Sequence, residues 1–232
     1  MPQILEIILI TWGAGLTAVL GGIIAQLDPS KDSPLKTEIL HGITALGGGI
    51  LLAAVAFALV PQGIEKLNAP SLALCLLGGG IAFCALDWWL GQQKGSKAQF
   101  VALLADYIPE AISLGAVFAA DPKLGVFLAA FIAAQNLPEG FNAYRELTGA
   151  RFRLPLLFIA SLLGPFAAMA GYLFLQNQPV LTAGMMTFAG GGILYLVFQD
   201  IAPQAKLQRH WIPALGAVIG FLFGVLGEYF MR

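Results

Sequence analysis

Long apolar runs along this chain alternate with short polar breaks. The runs fall near residues 4–27, 40–63, 70–92, 98–119, 123–144, 154–175, 180–204 and 211–231. Each has about the 20 residues that an α-helix needs to cross a hydrocarbon core roughly 30 Å thick. The breaks, such as DPSKDSPLKTE, GQQKGSKAQ, DPK, GARFR and QNQP, carry the Pro, Gly and Asp signals of loops. None is long enough to house a soluble domain. The pattern predicts an all-α membrane protein, a single transmembrane domain over residues 1–232 with eight transmembrane helices. The first run follows Met-Pro-Gln with no basic segment before it and continues past signal-peptide length, so it is expected to be a retained span.

Composition agrees with this reading. Only 11% of the residues are charged and 58% are hydrophobic, whereas a soluble domain carries about 25% charged residues. A net charge of −1 offers no basic surface for nucleic acid, so that class of partner is set aside. Cys75 and Cys84 stand nine residues apart in one apolar run, on opposite faces of a helix, and form neither a disulfide framework nor a CxxC metal site.

Basic loops resist translocation, so the placement of Lys and Arg sets the orientation. With the N-terminus outside, Lys31, Lys36, Lys94, Lys97, Arg145, Arg151, Arg153, Lys206 and Arg209 fall in the cytoplasm, against Lys66, Lys123 and Arg232 outside. Both termini are therefore expected outside. TALGGGILLAAVAFALVPQ (Thr44 to Gln62) in the second span echoes TFAGGGILYLVFQDIAPQ (Thr187 to Gln204) in the seventh. The two spans run in opposite directions, so the echo predicts an inverted repeat, helices 1–3 and 6–8 around a central hairpin of helices 4 and 5, a common plan for transporters. Recurrent Gly-rich helix packing is the simpler alternative.

Three carboxylates lie well inside the spans: Asp106, Glu110 and Glu139. A carboxylate at the bilayer centre costs a few kcal/mol and needs a partner. No Lys, Arg or His shares this depth, since His41 and His210 flank spans, which leaves a bound cation or a proton. ADYIPEA puts Asp106 and Glu110 on one face of the fourth span at i and i+4; AQNLPEG does the same for Gln135 and Glu139 on the fifth. Pro109 and Pro138 each remove an intrahelical hydrogen bond and are expected to kink their helices beside a polar cavity.

Folding these two spans as a hairpin about Pro122 puts Glu110 level with Gln135, roughly 18–20 Å from the turn, and Asp106 level with Glu139, roughly 24–26 Å from it. Three carboxylates and an amide oxygen then surround one point, a suitable oxygen cage for a divalent cation. Asn136 is placed to orient a ligand or add another oxygen. The alternative is that these polar groups only join helices by hydrogen bonding. Tyr107, Ser113, Asn142 and Ser161 are expected to pack, and Asp87 and Asp200 to be solvated or to line an exit.

On these residues the chain resembles the ZIP (Zrt/Irt-like) divalent metal transporters, particularly the short bacterial forms. QNLPEG, Gln135 to Gly140, is similar to the family's fifth-helix motif throughout. DYIPEA, Asp106 to Ala111, matches the fourth-helix motif at Pro109 and Glu110 but has Asp where His is usual. GGGILYLVFQDIAPQA, Gly190 to Ala205, also resembles the corresponding family segment. The resemblance implies that helices 1, 4, 5 and 6 form a transport unit moving against helices 2, 3, 7 and 8, with a possible homodimer in a bacterial inner membrane. It implies a divalent cation, zinc, manganese or iron(II), as substrate moving toward the cytoplasm, with no organic cofactor. The site residues would be Asp106, Glu110, Gln135, Asn136 and Glu139. A second metal position in the family uses an Asn and a Glu where this chain has Tyr107 and Gly164, and it looks lost. Pro61-Gln62 and Pro203-Gln204 likewise stand where Pro-Glu is frequent.

The leading expectation is thus a divalent-metal transporter with one site. A non-transporting ZIP-like protein that binds metal or supports an assembly is the alternative, and a channel-like conductor is a third. An intramembrane enzyme is not expected, because no HExxH, activated Ser or Cys, or buried His is present.

The orientation is directly testable. A cysteine introduced at Gly149, between Arg145 and Arg151, should react with an impermeant thiol reagent only from the cytoplasmic side. Labelling from the outside alone would reverse the whole topology.

Overall fold

The computed structural model describes residues 3–27, 34–92, 98–120, 122–147, 151–175, 177–207 and 211–231. The side chains of Asp106, Asp200 and Gln204 lie outside the described set, as do the loop residues Lys31, Lys94, Lys97, Gly149 and Arg209. The described elements are helical, with no strand among them. They are α1 (Gln3–Leu27), α2 (residues 34–66), α3 (Ala69–Gln92), α4 (Ala98–Ala120), α5 (Pro122–Glu146), α6 (Arg153–Leu175), α7 (residues 179–205) and α8 (Ile212–Met231). Seven stretches among the described residues are long and apolar enough to cross a membrane, while in α4 the apolar stretch Tyr107–Ala119 is shorter. The chain is an all-helical, multi-pass membrane protein.

Proline marks the helix starts. Pro34, Pro122 and Pro179 open α2, α5 and α7, and Pro70 and Pro213 stand second in α3 and α8. Their fixed φ suits the first turn, where an N–H has no intrahelical acceptor. Asn68 adds a cap to α3, its Oδ1 accepting the Ser71 N–H at 2.9 Å. Hydropathy alone starts the second span near residue 40, yet α2 begins at Pro34. Its first turns, PLKTEIL, are too polar to read as membrane but are helical all the same.

Two interior prolines are handled differently. In α2 the residues Val55–Leu59 form a π-helical turn closed by the Val60 N–H on the Val55 carbonyl, and Pro61 follows. In α7, Val197–Ile201 form another, closed by the Ala202 N–H on the Val197 carbonyl, and Pro203 follows. Widening the helix just before a residue that cannot donate relieves the ring's collision with the preceding turn.

The helices pack most closely in the pairs α1 with α5, α4 with α6, α2 with α8, and α3 with α7. Each crossing is made at glycines. A Cβ on Gly21 of α1 would strike the Leu137 carbonyl of α5, and one on Gly140 of α5 would strike the Ala18 carbonyl of α1. Gly115 and Gly171 meet the Ala168 and Ile112 carbonyls in the same reciprocal way across α4 and α6. Gly79 with Gly191, and Gly49 with Gly220, do so in the other two pairs. With lipid on the outside, apolar contact supplies no net drive for association, so close backbone packing at small residues holds the helices together. Helices α1, α4, α5 and α6 thereby form one tight group, joined to α2 and α7 through α5 and α4.

These contacts sort the glycines by consequence. Gly140→Ala and Gly171→Ala should each cost about 1–3 kcal/mol through overpacking. Gly13→Ala, where an added Cβ meets nothing within 4 Å, should be neutral or gain up to about 1 kcal/mol of helix propensity. Thermal melting of the purified variants in detergent checks this; equal midpoints for Gly140→Ala and Gly13→Ala would remove the close-approach argument.

Candidate cation site

Pro109 and Pro138 stand inside α4 and α5, and both helices run on through them. Helical periodicity keeps Glu110 on the α4 face toward α5, and Gln135, Asn136 and Glu139 on the α5 faces toward α4 and α1. The Gly140 close approach fixes α5 against α1 at the same level.

Glu110 is 4% exposed, Gln135 2% and Asn136 1%, so three polar side chains are withdrawn from the surroundings at one level of the bundle. Gln135 Nε2 donates to Glu110 Oε2 at 2.7 Å, joining α4 to α5. Asn136 Nδ2 donates to the Ala14 carbonyl of α1 at 3.1 Å, which turns its Oδ1 the other way. That Oδ1 is buried and has no hydrogen-bond partner. Glu139 is half-buried, and its Oε2 is likewise buried without a partner. Glu139 stands one helical turn beyond Gln135, which is bonded to the Glu110 carboxylate. Two acceptor oxygens, each within one helical turn of Gln135, therefore lack a donor among the described residues. Leaving such groups unpaired in an apolar medium costs several kcal/mol.

The third expected carboxylate, Asp106, sits on α4 one turn before Glu110, and its side chain lies outside the described residues. Among the described residues no group of three or more His, Cys, Asp or Glu side chains gathers as a metal cluster. What they provide is two carboxylates and two amides. Ser113 adds a group that the sequence reading assigned to packing: it is buried, three residues beyond Glu110 on α4, and its Oγ has no partner. The i, i+3 spacing from Glu110 was the available signal. A cavity of about 90 Å³ opens beside Pro138 and Asn142, between α1, α2 and α5, with Thr44 on its wall. It is large enough for a few waters.

Beside the carboxylates the interior is closed. Tyr107 is 1% exposed, and its hydroxyl donates to the Thr11 carbonyl at 2.9 Å and reaches the Ser161 carbonyl at 3.4 Å. The ring and hydroxyl fill the hollows above Gly15 and Gly164, where any Cβ would collide with them. Tyr107 thus ties α4 to both α1 and α6. Asp87, expected to be solvated or to line an exit, instead accepts a hydrogen bond from Tyr195 of α7 at 2.9 Å and is half-buried.

No protein-family model matches the chain, and no curated protein matches it.

Tyr107→Phe removes only the hydroxyl. The ring still fills the hollow, so the loss should be about 0.5–1.5 kcal/mol, the net worth of a hydrogen bond, read as a lower melting midpoint. Metal affinity should stay unchanged. A large fall in affinity for this variant would place the hydroxyl among the ligands.

Proposed function

We propose that this chain is a ZIP-like transporter that moves a divalent metal cation, zinc, manganese or iron(II), across a bacterial inner membrane toward the cytoplasm. Both termini would be outside and a homodimer is possible. The substrate site lies between α4 and α5, with Glu110 and Glu139 as anionic ligands, Gln135 and Asn136 as amide ligands, and Asp106 one turn away on the Glu110 face. One observation carries the reading: Glu139 Oε2 and Asn136 Oδ1 are buried acceptors without donors among the described residues, each within one helical turn of Gln135, which is bonded to the Glu110 carboxylate. A cation supplies the charge that no Lys, Arg or His at this depth supplies. The all-oxygen set suits manganese and other hard ions as well as zinc.

We read the helix packing as an eight-helix plan with an inverted repeat, a plan that suits transport. Exchanging helices 1, 2 and 3 with 6, 7 and 8, and 4 with 5, converts the close pair α1–α5 into α6–α4 and the pair α2–α8 into α7–α3. The same exchange superposes the roles of the two π-helical turns. Repeats of this kind surround mid-membrane sites in transporters.

A second reading, a non-transporting metal-binding or assembly protein, is favoured by Tyr107. It fills the space beside Gly164 where a second cation position would lie. Uptake of radioactive zinc or manganese into proteoliposomes decides between the two readings.

Glu110→Ala and Glu139→Ala should each abolish metal binding in calorimetry while the protein stays folded, because each removes ligand charge without breaking an ion pair. Gln135→Ala should weaken binding less, since a neutral amide contributes less to a divalent ion. Asp106→His should raise the zinc-to-manganese affinity ratio, imidazole being a better zinc than manganese ligand. Unchanged affinity in both glutamate variants would eliminate the site; an unchanged ratio would remove Asp106 from it.

A further inference from the structure

A second cleft among the described residues is unrelated to the carboxylates. It lies between α2, α7 and α8 and encloses about 690 Å³, within the roughly 300–1,000 Å³ of ligand-sized sites. Small residues create it. Ala45 and Gly48 of α2 face Ala202 and Ala205 at the end of α7, and Ala214 and Ala217 of α8 leave the third side thin. The π-helical turn of α7 bulges along the same wall through Val197 and Ile201. The cleft opens at the perimeter of the bundle, where Phe198 is 68% and Trp211 83% exposed.

Almost the whole lining is apolar, so water has too few polar partners to stay there. Its charged exception is Lys206, exposed at the rim just after α7 and without an ion-pair partner among the described residues. Trp211 stands at the same rim. Tryptophan and lysine at one level mark the headgroup region of a bilayer. A hydrocarbon-lined cleft with a cation at headgroup height is complementary to one class of molecule.

We propose that the cleft between α2, α7 and α8 is a binding site for an anionic phospholipid, with an acyl chain in the apolar cleft and its phosphate facing Lys206. The occupant is lipid rather than a second copy of the chain, because the rim carries a cation with no ion-pair partner among the described residues and the interior is shaped by small residues into a slot. The inference depends on the membrane-spanning fold alone and stands whether or not the α4–α5 site carries a cation.

The test uses the full chain in phosphatidylcholine vesicles containing a trace of spin-labelled phosphatidylglycerol or spin-labelled phosphatidylcholine. The wild type should hold phosphatidylglycerol about fivefold more strongly, the effect of one well-placed lysine at an interface. Lys206→Gln should erase that preference, and Lys66→Gln, a control at the end of α2, should preserve it. Ala214→Phe, filling the cleft, should reduce the motionally restricted phosphatidylglycerol. The proposal is overturned if Lys206→Gln keeps the preference, if Lys66→Gln abolishes it equally, or if Ala214→Phe leaves the restricted fraction intact. It is also overturned if the wild type shows no preference and Ala214→Phe instead changes the oligomeric state seen by light scattering, which would make the cleft a contact between copies. Because Lys206 is exposed, its variant keeps the test decisive even if Ala214→Phe fails to fold.

Discussion

Backbone-to-backbone contact at glycines is the constraint on which the rest of this structure depends. In a bilayer, two apolar helices gain little by leaving lipid for each other, so their association rests on van der Waals contact at short range. Reciprocal pairs such as Gly21 with Gly140 and Gly115 with Gly171 let the carbonyl of one helix sit where the other would have a side chain. Such contacts set axial position as well as distance. Sliding α5 along α1 by one residue would put Phe141 or Glu139 against Ala18. The register of α5 against α1, and of α4 against α6, is therefore determined before any polar group is placed.

That register is what brings Glu110 to Gln135 and Asn136 to the Ala14 carbonyl. The last glycine of the QNLPEG segment has a packing role, and the residues before it have a chemical one; the two are bound together because Gly140 adjoins Glu139. Tyr107 works in the same frame. Gly15 and Gly164 leave a hollow that its ring fills, so the polar interior is confined to the side of α4 that faces α5. A site bounded in this way concentrates unpaired oxygens in one place.

The outer surface follows a different rule. Lipid-facing side chains need only be apolar, so shape is free to vary there. The π-helical turn in α7 widens one wall of the α2–α7–α8 cleft. The same backbone adjustment that tolerates a proline thus contributes to a surface slot.

Much was legible in the sequence, because hydropathy and helical spacing are local properties. The apolar runs pointed to an all-helical, multi-pass membrane protein, and i, i+4 spacing put Gln135 and Glu139 on one face without knowledge of any neighbour. Five prolines, Pro34, Pro70, Pro122, Pro179 and Pro213, stand at or next to helix starts and mark the breaks. What the sequence could not supply were relations between atoms far apart in the chain. Nothing local says that the Asn136 amide turns its nitrogen to Ala14 and leaves its oxygen bare, that the Tyr107 hydroxyl bridges Thr11 and Ser161, or that Asp87 is claimed by Tyr195. Ser113 read as packing because a hydroxyl normally bonds its own helix, and only the surrounding structure shows its oxygen unpartnered. The start of α2 at Pro34 and the π turns were also hidden, since polarity and backbone winding are separate variables. Composition decided that this chain lives in a membrane; tertiary packing decided which of its few polar atoms were left without partners, because a hydrogen bond depends on distance and direction between groups that sequence alone does not bring together.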